Sequence, residues 1–311
     1  KENCADLRTK GWELSLNWND SFALMGKRFN YTVSASLGDN KTVITKYNNP
    51  EKLLTDYYEG MVLGEIWGYR IDGLFASDEE ATEYTSKINQ DFVNARILSD
   101  KVEPYYRAGD LKFRDLDGDN IISKGDDTAY DAGDREIIGN ETPRYNYSFR
   151  LGADWNGFDL GIFFQGVGKR DWYPNYLSTG FWGPYSRAFT SFIPANFMDQ
   201  CWSEENPGGY FPRFRGYQTF KDSQLGVNND RYLQDASYIR LKNLTVGYTL
   251  PVLKKVFTKL RVYFTGENLW YWSPMKKYTK YIDPEAAGGN GNTGMAYNYS
   301  RNFSVGVDIT F

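Results

Sequence analysis

Apolar residues recur at every second position in seven separate stretches of the chain. A period of two belongs to strands whose two faces meet different surroundings. Trp12, Leu14, Leu16 and Trp18 alternate with Glu13, Ser15 and Asn17, and Phe29, Tyr31, Val33, Ala35 and Leu37 with Asn30, Thr32, Ser34 and Ser36. The longest regular run sets Tyr145, Tyr147, Phe149, Leu151, Ala153 and Trp155 against Arg144, Asn146, Ser148, Arg150, Gly152 and Asp154. Asn156-Gly157, a strong two-residue hairpin signal, leads from it to Phe158, Leu160, Ile162 and Phe164. Leu244, Val246, Tyr248 and Leu250 form a fifth run. Ile239 and Leu241 are out of phase with it, so a bulge is expected near Lys242-Asn243. Leu260, Val262, Phe264, Trp270 and Trp272 share a face opposite Arg261, Tyr263, Thr265 and Glu267. The chain ends on Phe303, Val305, Val307, Ile309 and Phe311, set against Ser304, Gly306, Asp308 and Thr310.

The connections between these strands run alternately short and long, about residues 20–27, 41–142, 156–157, 168–235, 251–258 and 273–299. Outer-membrane barrels have short periplasmic turns and longer external loops, whereas a soluble β-sandwich turns every 8–12 residues or so. The pattern therefore predicts an all-β fold, part of a transmembrane antiparallel β-barrel. Apolar residues would face lipid, small and polar ones the lumen, and the stretches 41–142, 168–235 and 273–299 would be extracellular loops. Trp12 and Trp18, about 20 Å apart along a strand, suit the two aromatic girdles of such a wall. Bacterial barrels have even strand numbers, so seven strands imply that further strands lie before Lys1. Residues 1–311 are then the C-terminal part of one barrel domain.

Composition agrees without deciding. Aromatic residues make up 17% of the 311, and mean hydropathy is low at -0.61, as alternating strands require. A net charge of -4 without a basic cluster argues against nucleic acid as a partner. The absence of histidine removes Ser-His-Asp and Cys-His catalysis together with every His-bearing metal site. Glu79-Glu80 cannot act as a glycosidase pair on a strand, where neighbours face opposite ways. GVGKRD (166–171) lacks the spacing of a phosphate loop.

Six ordered stretches carry a resemblance. They are GEIWGYRIDGLFASDEE (64–80), GDLKFRDLDGDNIISKGD (109–126), IIGNETPRYNYSFRLGADWNGFDLGIFFQGVGKRD (137–171), YIRLKNLTVGYTLP (238–251), RVYFTGENLW (261–270) and NFSVGVDITF (302–311). Together the chain resembles the C-terminal region of SusC/RagA-like TonB-dependent transporters of Bacteroidota. The resemblance implies a plugged barrel of about 22 strands, energised by TonB and capped by a SusD-like surface lipoprotein that presents glycans or peptides. It places the chain in the cell outer membrane, against lipid and the remaining barrel strands and plug.

Asp115, Asp117, Asp119, the Ile121 carbonyl and Asp126 fall at positions 1, 3, 5, 7 and 12 of a calcium loop of the EF-hand type. Asn120 takes the place of the usual glycine and tolerates the left-handed backbone needed there; Ile122 would point back into the fold. The alternative is a solvated acidic turn, but close carboxylates repel unless neutralised. Calcium, in a structural role, is the expectation, with Mg²⁺ less suited because it resists dehydration. SDEEATEYTSKI (77–88) reads as a short helix with Ser77 as N-cap and Glu80 completing a capping box. The aromatics of 168–235 (Trp172, Tyr173, Tyr176, Phe181, Trp182, Tyr185, Phe189, Phe192, Trp202, Tyr210, Phe211 and Phe214) read as a loop core more readily than as sugar platforms. Cys4 and Cys201 would both lie on the oxidising outer side and could form a disulfide.

The functional expectation is a non-enzymatic transport component, the C-terminal barrel segment of an importer of oligosaccharides or, second, peptides. The rival is a secreted soluble carbohydrate-binding β-protein or glycosidase with a structural calcium.

Overall fold

The computed structural model describes residues 5–100, 103–187, 189, 193–220, 223–251, 258–287 and 297–311. Seven strands form one antiparallel sheet in chain order. They are β1 (Ala5–Leu24), β2 (Lys27–Tyr47), β3 (Arg144–Trp155), β4 (Phe158–Lys169), β5 (Tyr238–Leu250), β6 (Lys259–Trp272) and β7 (Asn302–Thr310). Among the described residues β1 and β7 pair on one side only, so the sheet is an open piece of wall. No described helix is long and apolar enough to cross a membrane, which says nothing of strands.

Register joins the alternating faces of separate strands into continuous rows. Trp18, Val33, Leu151, Ile162 and Leu244 lie side by side across five strands. Two steps lower, Phe22, Phe29, Trp155, Phe158, Tyr248, Val262 and Val307 form the densest aromatic row. Ring pairs there stand at 5.0 Å (Phe22–Phe29) and 4.5 Å (Phe158–Tyr248). The lower girdle is thus the Phe22 row, and Trp18 sits inside the apolar band. Trp12 and Phe22 are ten residues apart, about 33 Å along the strand, or about 25 Å of height at barrel tilt.

Phe149, Leu151 and Val305 belong to no buried core cluster, and Val305 is 77% exposed. This is the face that a barrel wall turns to lipid.

Local chemistry explains the turns. Asn156 and Gly157 both adopt positive φ (51° and 88°), the requirement of a tight hairpin. Met25-Gly26 does the same (51° and 75°), so the first connection, expected at about 20–27, shrinks to two residues. On β7, Gly306 leaves room for the ring of Tyr263, which a Cβ would strike. The bulge falls where the phase shift places it. Leu241 pairs with Phe164 and Asn243 with Phe163, so Lys242 has no partner in the ladder.

The long connections are packed rather than loose. Tyr69, Val93, Leu111, Phe113 and Ile122 of the first share one buried core with Trp172, Phe181, Trp182, Tyr185, Phe211 and Tyr232 of the second and Met275 and Ile282 of the third. We refer to this unit as the cap. Its aromatic centre is edge-to-face, with Phe181–Trp182 at 4.7 Å and Trp182–Tyr232 at 5.4 Å, a favoured arrangement of ring quadrupoles. The expectation of a loop core holds for Trp172, Tyr173, Phe181, Trp182, Tyr185, Trp202 and Phe211, whereas Tyr176, Phe189 and Phe214 are exposed. Phe192 lies outside the described residues. A second small core of Phe75, Ala81, Ile97 and Tyr106 underlies helix α1 (Asp78–Thr85). Ser77 Oγ accepts from Glu80 N (3.2 Å), while the Glu80 carboxylate reaches Ala76 N (2.7 Å) rather than Ser77 N, a capping box shifted by one residue.

Buried ion pairs pin the cap. Asp110 in the first connection receives two bonds from Arg215 in the second, at 3.0 and 2.9 Å. Arg240 on β5 pairs with Asp283 in the third connection. Lys242, freed by the bulge, pairs with Glu285 at 2.7 Å. A bulge re-aims a side chain, and here it turns Lys242 towards the cap.

Candidate functional site

The acidic turn follows the short cap strand Leu111–Phe113. Asp115 caps the turn twice, accepting from Gly118 N (2.7 Å) and Asn120 N (3.0 Å). Asp117 accepts from Asp119 N (3.1 Å) and Asp119 from Ile121 N (2.7 Å). Asn120 has φ 66°, and Ile122 is fully buried, its N–H bonded to Asn89 O at 2.7 Å.

Three carboxylates converge, those of Asp115, Asp117 and Asp134, each offering an oxygen within 4.8 Å of the others. Asp134 is buried and accepts from Leu116 N and Ser123 N, both at 2.7 Å. Burial pushes its pKa up, and the charges of Asp117 and Asp115 add to that shift. Of the four carboxylates expected from spacing, Asp115 and Asp117 are in this group and Asp119 and Asp126 are not; the fifth expected ligand, the Ile121 carbonyl, is a backbone group. Left-handed turns at Gly125 (φ 55°) and Asp127 (φ 61°) flank Asp126, which is exposed. Asp134 lies beyond the twelve-residue window, so no local spacing could have found it. Hard oxygen donors at such separation suit a divalent cation of the calcium kind.

Cys201 is a buried thiol whose Sγ donates to Phe197 O at 3.6 Å, and burial raises its pKa. The expected partner, Cys4, lies outside the described residues.

The wall's other face is mainly polar, with the Phe163 and Tyr263 rings lying under Arg150 and Arg261. Ser36 and Ser148 share a bond of 2.7 Å, Thr245 and Thr265 one of 3.1 Å, and Asn30 donates to Asp154 at 2.6 Å. Arg261 on β6 bridges Asp159 on β4 (2.7 Å) and Asp308 on β7 (2.9 Å), a span of four adjacent strands. Glu267 is on this face, accepting from Asn302 at 3.1 Å. Such a surface can line a hydrated lumen.

An open antiparallel wall, apolar on one face and polar on the other, carrying a packed cap on its long connections, has the architecture of part of a transmembrane β-barrel. The particular likeness comes from known proteins. TonB-dependent receptor P26 of Formosa agariphila is 28% identical over 335 residues, covering 100% of this chain and 30% of that protein. TonB-dependent receptor P3 of the same organism is 27% identical over 339 residues, covering 100% and 29%. The structure of the RagAB peptide transporter superposes over 100% of this chain and 30% of that one, with a TM-score of 0.63 and 21% identity. The RagAB peptide importer in its open-open state gives a TM-score of 0.62 at 20% identity, over 99% and 29%. No family model matches the chain. The chain spans about 30% of the length of the relatives it matches. Its likeness to TonB-dependent transporters therefore runs through all 311 residues, and these relatives are receptors and transporters, not enzymes.

Proposed function

We propose that the chain is the C-terminal barrel segment of a TonB-dependent outer-membrane importer of oligosaccharides. In this reading a SusD-like surface lipoprotein closes over the extracellular cap, and TonB acts through a plug-bearing region outside this chain. One observation carries it: the rows of apolar side chains left exposed on one face of a sheet that aligns end to end with TonB-dependent receptors. Peptides are the second reading, favoured by the fold likeness to a structure described as a peptide transporter. Deleting the gene for the complete protein and measuring growth on purified oligosaccharides or on peptides tests both. Loss of growth on an oligosaccharide is expected; loss confined to peptides would favour the second reading, and no loss on either would contradict import.

A structural calcium ion belongs to the same proposal, held by Asp115, Asp117 and Asp134, with Asp119, the Ile121 carbonyl and Asp126 as the ligands expected from spacing. The ion would neutralise the three converging carboxylates and stiffen the first connection. Calcium should raise the thermal midpoint of the cap, and Asp134→Asn should remove most of that increment. An equal increment in the variant would contradict this assignment.

A further inference from the structure

A cleft of about 440 Å³ lies between the first and second connections of the cap, with Arg135, the neighbour of Asp134, in its lining. Its size is that of a small-ligand site. The floor is held in place by bonds already made. The Glu65 carboxylate accepts from Tyr58 Oη (2.7 Å) and Val62 N (2.8 Å), and Arg135 is spent on Asp127 and the Lys124 carbonyl, at 2.7 and 2.9 Å. Neither charge is free for a ligand.

Other groups in the lining are uncommitted. Asn175 uses Oδ1 on Leu177 N (2.9 Å) and Asn228 uses Nδ2 on Trp67 O (3.1 Å), which leaves the opposite end of each amide without a protein partner among the described residues. Glu141 lines the cleft with no ion pair within 4 Å among the described residues, and the Tyr176 ring is 44% exposed. The lining therefore offers an aromatic face, an amide donor, an amide acceptor and one carboxylate, with no unpaired cation.

The chemistry that fits is an uncharged ring with an apolar face and outward hydroxyls, the hydroxyls bonding to amides and carboxylate while the C–H face covers the tyrosine. A peptide bound by strand addition would need an open strand edge, and none is offered here. The strand Glu65–Tyr69 pairs with Arg135–Asn140 along one edge. Its other edge is closed by Tyr69 N bonded to Asn228 O (2.9 Å) and Asp230 N to Tyr69 O (3.1 Å). An anionic ligand would meet the Glu65 and Glu141 carboxylates, while the lining cation Arg135 is already paired with Asp127 and the neighbouring Arg170 donates to the Glu141 carbonyl (3.2 Å).

We propose that this cleft between the two connections is a subsite for a neutral saccharide segment. The assignment rests on the oligosaccharide-import reading and narrows it to one place in the cap and to uncharged sugars. The test uses the complete transporter in detergent, titrated calorimetrically with maltopentaose, cellopentaose, laminaripentaose and xylopentaose, and separately with a tryptic digest of casein. The variants are Tyr176→Ala and Glu141→Gln, both at exposed positions outside the cap core, with the thermal midpoint as a control of folding. One of the four sugars should bind, and each variant should weaken it about ten-fold, as loss of one stacking face or one charged hydrogen bond implies. Equal affinity in both variants, or no binding by any of the four, overturns the subsite. Casein peptides whose binding the variants weaken would overturn the sugar class. Uptake of oligosaccharides by cells carrying either variant is measured in parallel. Uptake without a change in affinity removes the subsite and leaves import standing, whereas no oligosaccharide uptake even by the wild type removes import itself.

Discussion

Val305 in the wall is 77% exposed and Trp182 in the cap is fully buried, although both belong to the apolar fraction of one chain. In the wall, apolar side chains project singly from alternate positions and meet neighbours on the same face, along a row as in Trp18–Val33–Leu151 or between rows as in Phe29–Tyr31. In the cap, apolar side chains from three connections distant in sequence close around one another, and the buried Asp110 carboxylate among them is paired with Arg215. The difference identifies the solvent of each part. A buried aromatic core needs water outside it, whereas a sheet with an apolar outer face needs hydrocarbon. One chain thus records two media, and the Arg240–Asp283 and Lys242–Glu285 pairs tie the two parts together at the boundary.

The largest expected effect is in the cap. Trp182→Ala should cost about 3–5 kcal/mol, because the vacated volume cannot be refilled by the surrounding rings; denaturant titration followed by near-ultraviolet circular dichroism of the cap measures it. The same substitution at Trp18 should cost far less if that side chain faces lipid.

In the wall the sign of polarity reverses. Leu151→Arg should destabilise by roughly 2–4 kcal/mol near the bilayer midplane, and Arg150→Leu, one residue away on the polar face, by much less. Equilibrium unfolding from lipid vesicles distinguishes them, and similar costs at the two positions would erase the distinction between the faces.

Calcium sharpens the comparison next, because it should act on the cap alone. At a hundredfold excess over its dissociation constant the ion should stabilise the cap by about 2.7 kcal/mol. Asp134 fixes the pH dependence. Its folded pKa is raised, so its charge destabilises the folded cap above that pKa, and the penalty is relieved as pH falls through it. The calcium increment should accordingly shrink on acidification, as seen in thermal midpoints with and without a chelator.

The smallest effect is local. Ser77→Ala removes the cap bond to Glu80 N and should cost about 1 kcal/mol, read from hydrogen exchange in α1.

The wall was legible in the sequence because a period of two is a local property. Tyr145 to Trp155 declares its faces without reference to any partner, and the phase slip at Leu241 and Leu244 locates the bulge at Lys242 to the residue. The helix was legible for the same reason, although it ends at Thr85, short of the expected Ile88. The cap was not, since its core joins Phe113, Trp182 and Met275 from three connections, and no periodicity links them. The acidic turn was half legible. Asp115 and Asp117 announce themselves by spacing, but Asp134 reaches them only through the fold, held by Leu116 N and Ser123 N. Tyr176 and Glu141 come together in the cleft by the same non-local route; Tyr176 stood out in the sequence only as one of many loop aromatics, and Glu141 carried no signal.

The claim that one face of the sheet meets lipid is tested most directly by site-directed spin labels at residues 303–308 and 148–151, one per variant. The complete protein, with Cys4 and Cys201 replaced by alanine, is reconstituted in lipid bilayers, and collision with molecular oxygen is compared with collision with a water-soluble nickel chelate. Oxygen should dominate at Phe303, Val305, Val307, Phe149 and Leu151, and the chelate at Ser304, Gly306, Asp308, Ser148 and Arg150. Loss of this two-residue alternation, or its reversal, would contradict the wall.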